Sequence, residues 1–256
     1  MTRIVVTGAG GRMGRTLIEA VLADPGLALA GAVDVAGSPV LGARFGRVKA
    51  GVSLSAALSR GDVLVDFTRP EGTLEYLVSC VQMKKAAVIG TTGFTEAQRR
   101  RILQAAAKIP IVMAPNFAIG VNVAYQLAES AARALGEDYD VEIIEAHHRM
   151  KADAPSGTAL RLGEVIAAVF KKNAFVFGRK GETGRRPAKQ IGFHSIRGGD
   201  IVGEHTVMFA GAGERLEITV RSQSRMTYAL GALRAAKWLR RRRAGLYDMA
   251  DVLGLR

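Results

Sequence analysis

The sequence predicts an α/β protein whose first half is a doubly wound parallel sheet and whose second half is a separate, largely antiparallel sheet domain. Three observations carry that expectation. Short apolar strands alternate with helical stretches as far as Ala114, and a glycine-rich turn joins the first strand to the first helix. After Phe117 the rhythm changes to strand, turn, strand.

The elements follow in order. Residues 4–7 read as a strand and 13–23 as a helix that stops near Asp24-Pro25. Residues 27–34 and 63–68 are further strands. The helix after the second of these opens at Pro70-Glu71, where the missing proline N–H has no helical partner anyway. Residues 87–90 form a fourth strand, 95–109 a helix opening on the capping box Thr95-x-x-Gln98, and 111–114 a fifth strand. Next come a helix over 121–135 stopped by Gly136, a strand over 141–146 and a helix over 157–170. From 190 to 221 three strands are separated by turns at Gly198-Gly199 and Gly211-Ala212-Gly213, glycines that suit the positive φ of tight hairpins. Residues 171–189 are polar and Gly-rich and are expected to form a mobile loop. A last helix from Met226 onward is expected to pack back on the first domain.

Composition bounds the function. With 48% hydrophobic and 23% charged residues, the 256-residue chain is in the globular range. No apolar run approaches the roughly 18 residues of a membrane span. The start, TRIVVTGAG, is expected to be a strand entering a turn rather than a secretion signal. The one cysteine, Cys80, excludes an internal disulfide and sits in an apolar stretch, so burial and a reducing cytoplasm are expected. A net charge of +13 would suit nucleic acid. However, the densest run, Arg240 to Arg243, follows a helix whose negative end it complements. No nucleic-acid-binding motif accompanies it.

The run Gly8-Ala9-Gly10-Gly11-Arg12-Met13-Gly14 lies between a strand and a helix, with Gly8, Gly11 and Gly14 in G-x-x-G-x-x-G spacing. Missing side chains permit tight turning and close backbone approach, and the helix N-terminus offers free N–H groups to a pyrophosphate. Asp34, 20 residues beyond Gly14, ends the next strand, where a carboxylate accepts from adenosine ribose hydroxyls. It favours the diol of NADH over a 2′-phosphate, although Arg12 leaves NADPH open. Phe67-Thr68, Gly90-Thr91-Thr92 and Ala114-Pro115-Asn116-Phe117 occupy the same sheet edge.

The segment from Glu145 to Ala159 carries paired histidines, His147 and His148, at a strand end, with Arg149 and Lys151 close behind. Ser156-Gly157-Thr158 then opens a helix and forms an anion cradle, so a small dicarboxylate is a plausible guest. His147, His148 and Asp153 lack zinc-type spacing, and no metal is expected.

The run E-A-H-H-R-M-K-A-D-A-P-S-G-T-A resembles the signature E-x-H-H-x-x-K-x-D-x-P-S-G-T-A of the dihydrodipicolinate (4-hydroxy-tetrahydrodipicolinate) reductases. The likeness extends through V-T-G-A-G-G-R-M-G, D-F-T-R-P, I-G-T-T-G, A-P-N-F, R-G-G-D-I-V-G-E-H and S-R-M-T. It implies a Rossmann-like dinucleotide-binding domain over 1–118 with 227–256, and an α+β substrate-binding and tetramerisation domain with a mixed, open sheet over 119–226. It further implies a cytoplasmic homotetramer that uses NADH and/or NADPH in lysine and diaminopimelate biosynthesis.

By position, the resemblance makes His147 the general acid with Lys151 its partner, and assigns substrate to His148, Lys151, Ser156, Gly157 and Thr158. It lines the cofactor with Gly8, Gly11, Arg12, Met13, Gly14, Asp34, Phe67, Thr68, Gly90, Thr91, Thr92, Ala114, Asn116 and Phe117, and puts Arg225 near the domain junction. Met150 stands where many relatives carry histidine, and Val35 where some carry arginine. The residue types fit the implied chemistry. Hydride addition to a conjugated imine needs a proton afterwards, and histidine holds one near neutral pH. Two rivals remain: an amino-acid dehydrogenase acting on a small dicarboxylate, and a non-catalytic nucleotide-sensing or nucleic-acid-binding protein.

Overall fold

The computed structural model describes residues 1–171 and 174–255, and the chain divides into two compact units, 1–119 with 225–256, and 120–224. The first unit opens with β1 (Thr2–Thr7), α1 (Arg12–Ala23), β2 (Leu27–Val33), β3 (Arg44–Phe45), β4 (Val48–Lys49) and α2 (Leu54–Leu58). It continues with β5 (Val63–Asp66), α3 (Pro70–Gln82), β6 (Ala86–Ile89), α4 (Glu96–Ala106) and β7 (Pro110–Met113). The second unit holds α5 (Ile119–Leu135), β8 (Asp140–His147), α6 (Gly157–Phe170), β9 (Ala174–Phe177), β10 (Gln190–Arg197), β11 (Gly203–Ala210) and β12 (Arg215–Ser222). The chain then returns to the first unit with α7 (Met226–Leu239), β13 (Gly245–Tyr247) and α8 (Met249–Leu253).

The first unit is a six-stranded sheet in the order β13-β7-β6-β5-β1-β2, parallel throughout. Its strands are apolar on both faces because both faces are covered. Ile4, Val6, Val63, Val65, Val88 and Val112 pack with Leu17, Val21, Leu233 and Ala236 of α1 and α7. Val5, Leu64, Ala87, Ile89 and Ile111 face Leu74, Leu77 and Ile102 of α3 and α4. The helix that starts at Met226, α7, thus packs on the first sheet. A Cβ on Gly231 would meet the Phe117 carbonyl at 1.8 Å, so only glycine lets α7 cross the chain there. Strand order reverses between β1 and β5, and ligands of such sheets bind outside the strand C-termini at that point.

The second unit is a five-stranded mixed sheet in the order β12-β11-β8-β10-β9. β11 runs antiparallel to β8 and β12, while β10 is parallel to β8 and β9 parallel to β10. Ile143, Phe193, Val207 and Phe209 pack one face against Ala128, Leu162 and Ile166 of α5 and α6. The opposite face exposes Ile196 and carries the buried Glu142.

Two local expectations are corrected here. The turn at Gly198-Gly199 does not close a hairpin, because β8 lies between β10 and β11. Its backbone turns to the chain beyond β8 instead: Gly198 N–H donates to the His147 carbonyl at 3.0 Å and Arg149 N–H to the Gly199 carbonyl at 3.2 Å. Of these two glycine turns, the one at Gly211–Gly213 joins a hairpin, β11 to β12. The stretch 171–189, of which Lys172 and Asn173 lie outside the described residues, is not a free loop. It contains β9, and beyond β9 two arginines fasten it to buried Glu142. Arg186 Nε donates to Oε1 at 2.9 Å and Arg179 Nη1 to Oε2 at 3.1 Å, and His194 Nε2 lies 2.9 Å from the same carboxylate. Burial raises the Glu142 carboxyl, but those bonds outweigh it and hold the pKa at about 2. Glycine at 192 leaves the space the carboxylate fills, since a Cβ there would fall 1.8 Å from Glu142 Oε2.

Candidate active site

In the first unit, the C-terminal strand edge assembles the predicted cofactor residues. Gly8 adopts φ +63°, and its missing side chain admits Thr68, whose Cγ2 would lie 2.9 Å from a Cβ. Gly14 is stricter: a Cβ would fall 2.0 Å from the Gly8 carbonyl oxygen, so α1 can start against the turn only with glycine there. No side chain caps the N-terminus of α1, and Gly11 and Arg12 are exposed, which leaves its first N–H groups open to an anion. Met13 is half-buried against the core. Asp34, just past β2, holds the glycine turn, accepting from Gly10 N–H at 2.7 Å and from Val35 N–H at 2.8 Å. Arg15 joins it, its Nε donating to the Gly10 carbonyl at 3.1 Å. An open helix end, glycines where side chains cannot fit and a carboxylate beside the turn together fit a dinucleotide.

Other predicted residues take more structural places. Gly90 is required by the Phe67 ring, which a Cβ would meet at 2.1 Å. Phe117 is buried and packs on Phe67 with ring centroids 5.5 Å apart. Ala114 is buried, and Asn116 Oδ1 accepts from Ala118 N–H at 2.8 Å. Thr92 is exposed, and Arg225, half-buried, is the N-cap residue of α7.

Asp66 is a further residue of this edge, without a local signal in the sequence. Its carboxylate is fully buried at the end of β5 and receives four hydroxyls. Thr7 and Thr68 donate to Oδ1, each at 2.7 Å, while Thr73 (a very short bond) and Thr91 (3.2 Å) donate to Oδ2. Four donors saturate a carboxylate's lone-pair sites. They arrive from the end of β1, the turn after β5, the first turn of α3 and the residues after β6. One side chain therefore ties together the segments that carry Gly8, Thr68 and Thr91.

In the second unit, the side chains of β8 alternate, which puts Glu145 and His147 on the helix-covered face. Register brings Arg197 of β10 opposite His147, and His205 of β11 opposite Glu145. His147 Nδ1 lies 2.5 Å from Glu145 Oε2. Arg197 grips the same carboxylate with two donors, Nη1 to Oε2 at 2.8 Å and Nη2 to Oε1 at 2.7 Å. Burial would raise the Glu145 carboxyl, yet hydrogen bonds from Arg197, Ser195 and His147 hold it at about 2. The His147 pKa is lowered: burial outweighs the help from Glu145, and Lys151 and Arg197 add to the lowering.

Ser156 caps α6, its Oγ accepting from Ala159 N–H at 3.2 Å, and the same oxygen is 3.0 Å from His205 Nε2. Ser156 N–H donates to Glu145 Oε1 at 3.2 Å, so the proton-bearing pair and the helix-end cradle are one construction. His205, 4% exposed, is pushed down to about 4 by burial and packs edge-on against His147. Gly157 is exposed and Thr158 half-buried at the same helix end. A turn, Lys151 N–H to the His148 carbonyl, brings back Lys151, whose ammonium pairs with the mostly exposed Asp153 carboxylate at 2.8 and 2.9 Å. His148 Nδ1 is buried with no hydrogen-bond partner. Among the described residues, no group of three His, Cys, Asp or Glu could hold a metal ion.

The family model for the N-terminus of dihydrodipicolinate reductase matches residues 2–117, and that for its C-terminus matches 120–253. The chain belongs to the dihydrodipicolinate reductase family. It is 55% identical to the 4-hydroxy-tetrahydrodipicolinate reductase of Dechloromonas aromatica, over 100% of this chain and 99% of that protein. To the enzyme of the same name from Aromatoleum aromaticum it is 54% identical, over 99% and 96%. Among solved structures, dipicolinate-bound dihydrodipicolinate reductase from Paenisporosarcina sp. TG-14 superposes with a TM-score of 0.81 at 27% identity, covering 98% of both chains. An amine dehydrogenase from Mycobacterium smegmatis, at a TM-score of 0.61 and 14% identity, shares the fold alone. No helix among the described residues is long and apolar enough to cross a membrane.

Proposed function

We propose that the protein is an NAD(P)H-dependent 4-hydroxy-tetrahydrodipicolinate reductase, acting in lysine and diaminopimelate biosynthesis on the cyclic imine left when the 4-hydroxyl departs as water. The observation that carries this reading is a buried carboxylate, Glu145, bonded on one side to His147 and on the other to the N-terminus of α6. That arrangement sets a proton-carrying imidazole beside an anion cradle, which a dicarboxylate imine requires.

When bound, the reduced nicotinamide supplies the hydride. Gly8, Gly11 and Gly14 with the open end of α1 take the pyrophosphate, and Asp34 takes the adenosine ribose. Gly10, Arg12, Met13, Phe67, Thr68, Gly90, Thr91, Thr92, Ala114, Asn116, Phe117 and Arg225 shape the rest of the cofactor region. Gly157 and Thr158 hold one substrate carboxylate by backbone N–H groups, at a helix end that Ser156 fixes through its own N–H to Glu145 and its Oγ to Ala159 N–H. Lys151 exchanges Asp153 for the other carboxylate, and His148 brings an uncommitted ring nitrogen. With Nδ1 engaged by Glu145, His147 as the imidazolium carries its transferable proton on Nε2. It delivers that proton to the ring carbon beside the reduced position, where the displaced electron pair collects, leaving the neutral ring with its hydrogen on Nδ1. The preference is for NADH, since Asp34 accepts from a ribose diol and repels a 2′-phosphate and Val35 offers no cation. The second unit also serves assembly into a cytoplasmic homotetramer.

Incubation with freshly generated dihydrodipicolinate and NADH tests the reading against its rivals. Substrate-dependent loss of NADH absorbance supports it. Turnover of aspartate, or of oxaloacetate with ammonia, in place of the imine would make the protein an amino-acid dehydrogenase.

A further inference from the structure

We infer that Glu145, clamped by Arg197, is the positioning residue that fixes His147 in a single tautomer and makes Nε2 its proton-carrying nitrogen. This deepens the function proposed above and rests on it for the proton's destination, though not for the state of the ring.

The geometry leaves little freedom. His147 Nδ1 lies 2.5 Å from a carboxylate oxygen of a side chain that is 1% exposed. A carboxylate held ionised is acceptor-only, so Nδ1 must carry the hydrogen in both the neutral and the charged ring. Arg197 keeps it ionised: two parallel donors at 2.7 and 2.8 Å form the planar fork that matches a carboxylate. Arg197 is itself pinned from behind, Nη2 donating to the Asp153 carbonyl at 2.6 Å and Nη1 to the Ile196 carbonyl at 2.7 Å. Ser156 N–H occupies the remaining side of Oε1. Turning Glu145 away from His147 would therefore also break its bonds to Arg197 and Ser156.

The charges around His147 come from four places: Glu145 on β8 itself, Lys151 in the turn beyond it, Arg197 on β10 and His205 on β11. Only Glu145 favours the imidazolium, while both cations oppose it. Removing the Glu145 charge leaves the ring among cations alone, and its tautomer is then free to reverse. A packing role for Glu145 would do neither.

The test compares wild type with Glu145→Gln, an isosteric change that removes the charge. Histidine 15N resonances report the tautomer directly, without turnover. Wild type is expected to show Nδ1 protonated in neutral His147, and Glu145→Gln a mixture or a reversal. In activity, the decline of kcat with rising pH is expected to move down by about one to three pH units, the range for losing a neighbouring opposite charge. At neutral pH kcat is expected to fall about 10²-fold, the cost of a misplaced reacting group. NADH affinity, set in the other unit, is expected to hold. Glu145→Asp, which keeps the charge, is expected to restore the pH profile but not the full kcat. Should Glu145→Gln fail to fold, the double variant Glu145→Gln/Arg197→Gln removes both charges of the pair and takes the same measurements. An unchanged tautomer together with an unmoved pH profile in a folded variant would overturn the inference. Absence of turnover in the wild type, with the tautomer shift intact, would instead count against the proposed reaction.

Discussion

Replacing Asp66 with asparagine probes the junction on which the cofactor edge depends. In the native protein the carboxylate accepts from Thr7, Thr68, Thr73 and Thr91. Asparagine can keep its carbonyl toward Thr7 and Thr68, but its amide then faces Thr73 and Thr91 with donors. Those hydroxyls must turn away, and Thr73 has the Arg69 carbonyl at 3.1 Å as a second acceptor. A hydrogen bond to a charged group contributes about 1.5–3 kcal/mol and a neutral one about 0.5–1.5. Four such downgrades, partly relieved by rotation, come to roughly 2–4 kcal/mol. At about 2–4 °C per kcal/mol for a domain of this size, Tm falls by roughly 5–15 °C. Because the hydroxyls belong to segments flanking Gly8, Thr68 and Thr91, NADH affinity falls with it. Calorimetry and fluorescence titration with NADH measure the two effects. A melt within about 1 °C of wild type and an unaltered NADH affinity would refute the idea that Asp66 organises this edge.

Three further outcomes are expected. His147→Gln cuts kcat by roughly 10²–10⁴-fold, the range for a lost general acid, while sparing NADH binding; unchanged turnover would remove His147 from the role. Asp34→Ala weakens NADH more than NADPH, and equal losses would show that its carboxylate serves only the Gly10 and Val35 amides. Buried His205 titrates near 4 in the folded protein and near 6.5 in the unfolded chain, so between those values the unfolded state holds the extra proton. Its stabilising effect is complete above pH 6.5 and is lost as pH falls toward 4, by about 3 kcal/mol at most. Calorimetry from pH 7.5 down to 4.5 is expected to show a steeper decline in wild type than in His205→Gln, and parallel curves would contradict the assignment.

What the sequence could and could not disclose follows from the range of the forces involved. The parallel half was readable because strands buried on both faces must be apolar runs, and because Thr95-x-x-Gln98 announces a helix start within four residues. The pairing of β10 with β8 was not, since nothing near Gly198-Gly199 records that a strand some 50 residues earlier occupies the hairpin partner's place. The stretch beyond β9 reads as a loop by composition. Its order comes from Arg179 and Arg186 meeting a carboxylate about 40 residues away, a pairing with no local signature. Glu145 was within reach, because residues two apart on a strand share a face and His147 was already singled out. Arg197 and His205 needed the cross-strand register. Asp66 carries no local mark of its role, since its four hydroxyls come from separate parts of the chain.

The reading of the protein as a reductase of a cyclic dicarboxylate imine is tested most directly by a coupled assay. The condensation product of the preceding synthase is supplied as it forms, and NADH and NADPH absorbance are followed in parallel with wild type and His147→Gln. Wild type is expected to show substrate-dependent oxidation, faster with NADH, that falls by at least about 10²-fold in the variant. No oxidation by a folded, NADH-binding wild-type protein, or equal rates in the two proteins, would contradict it.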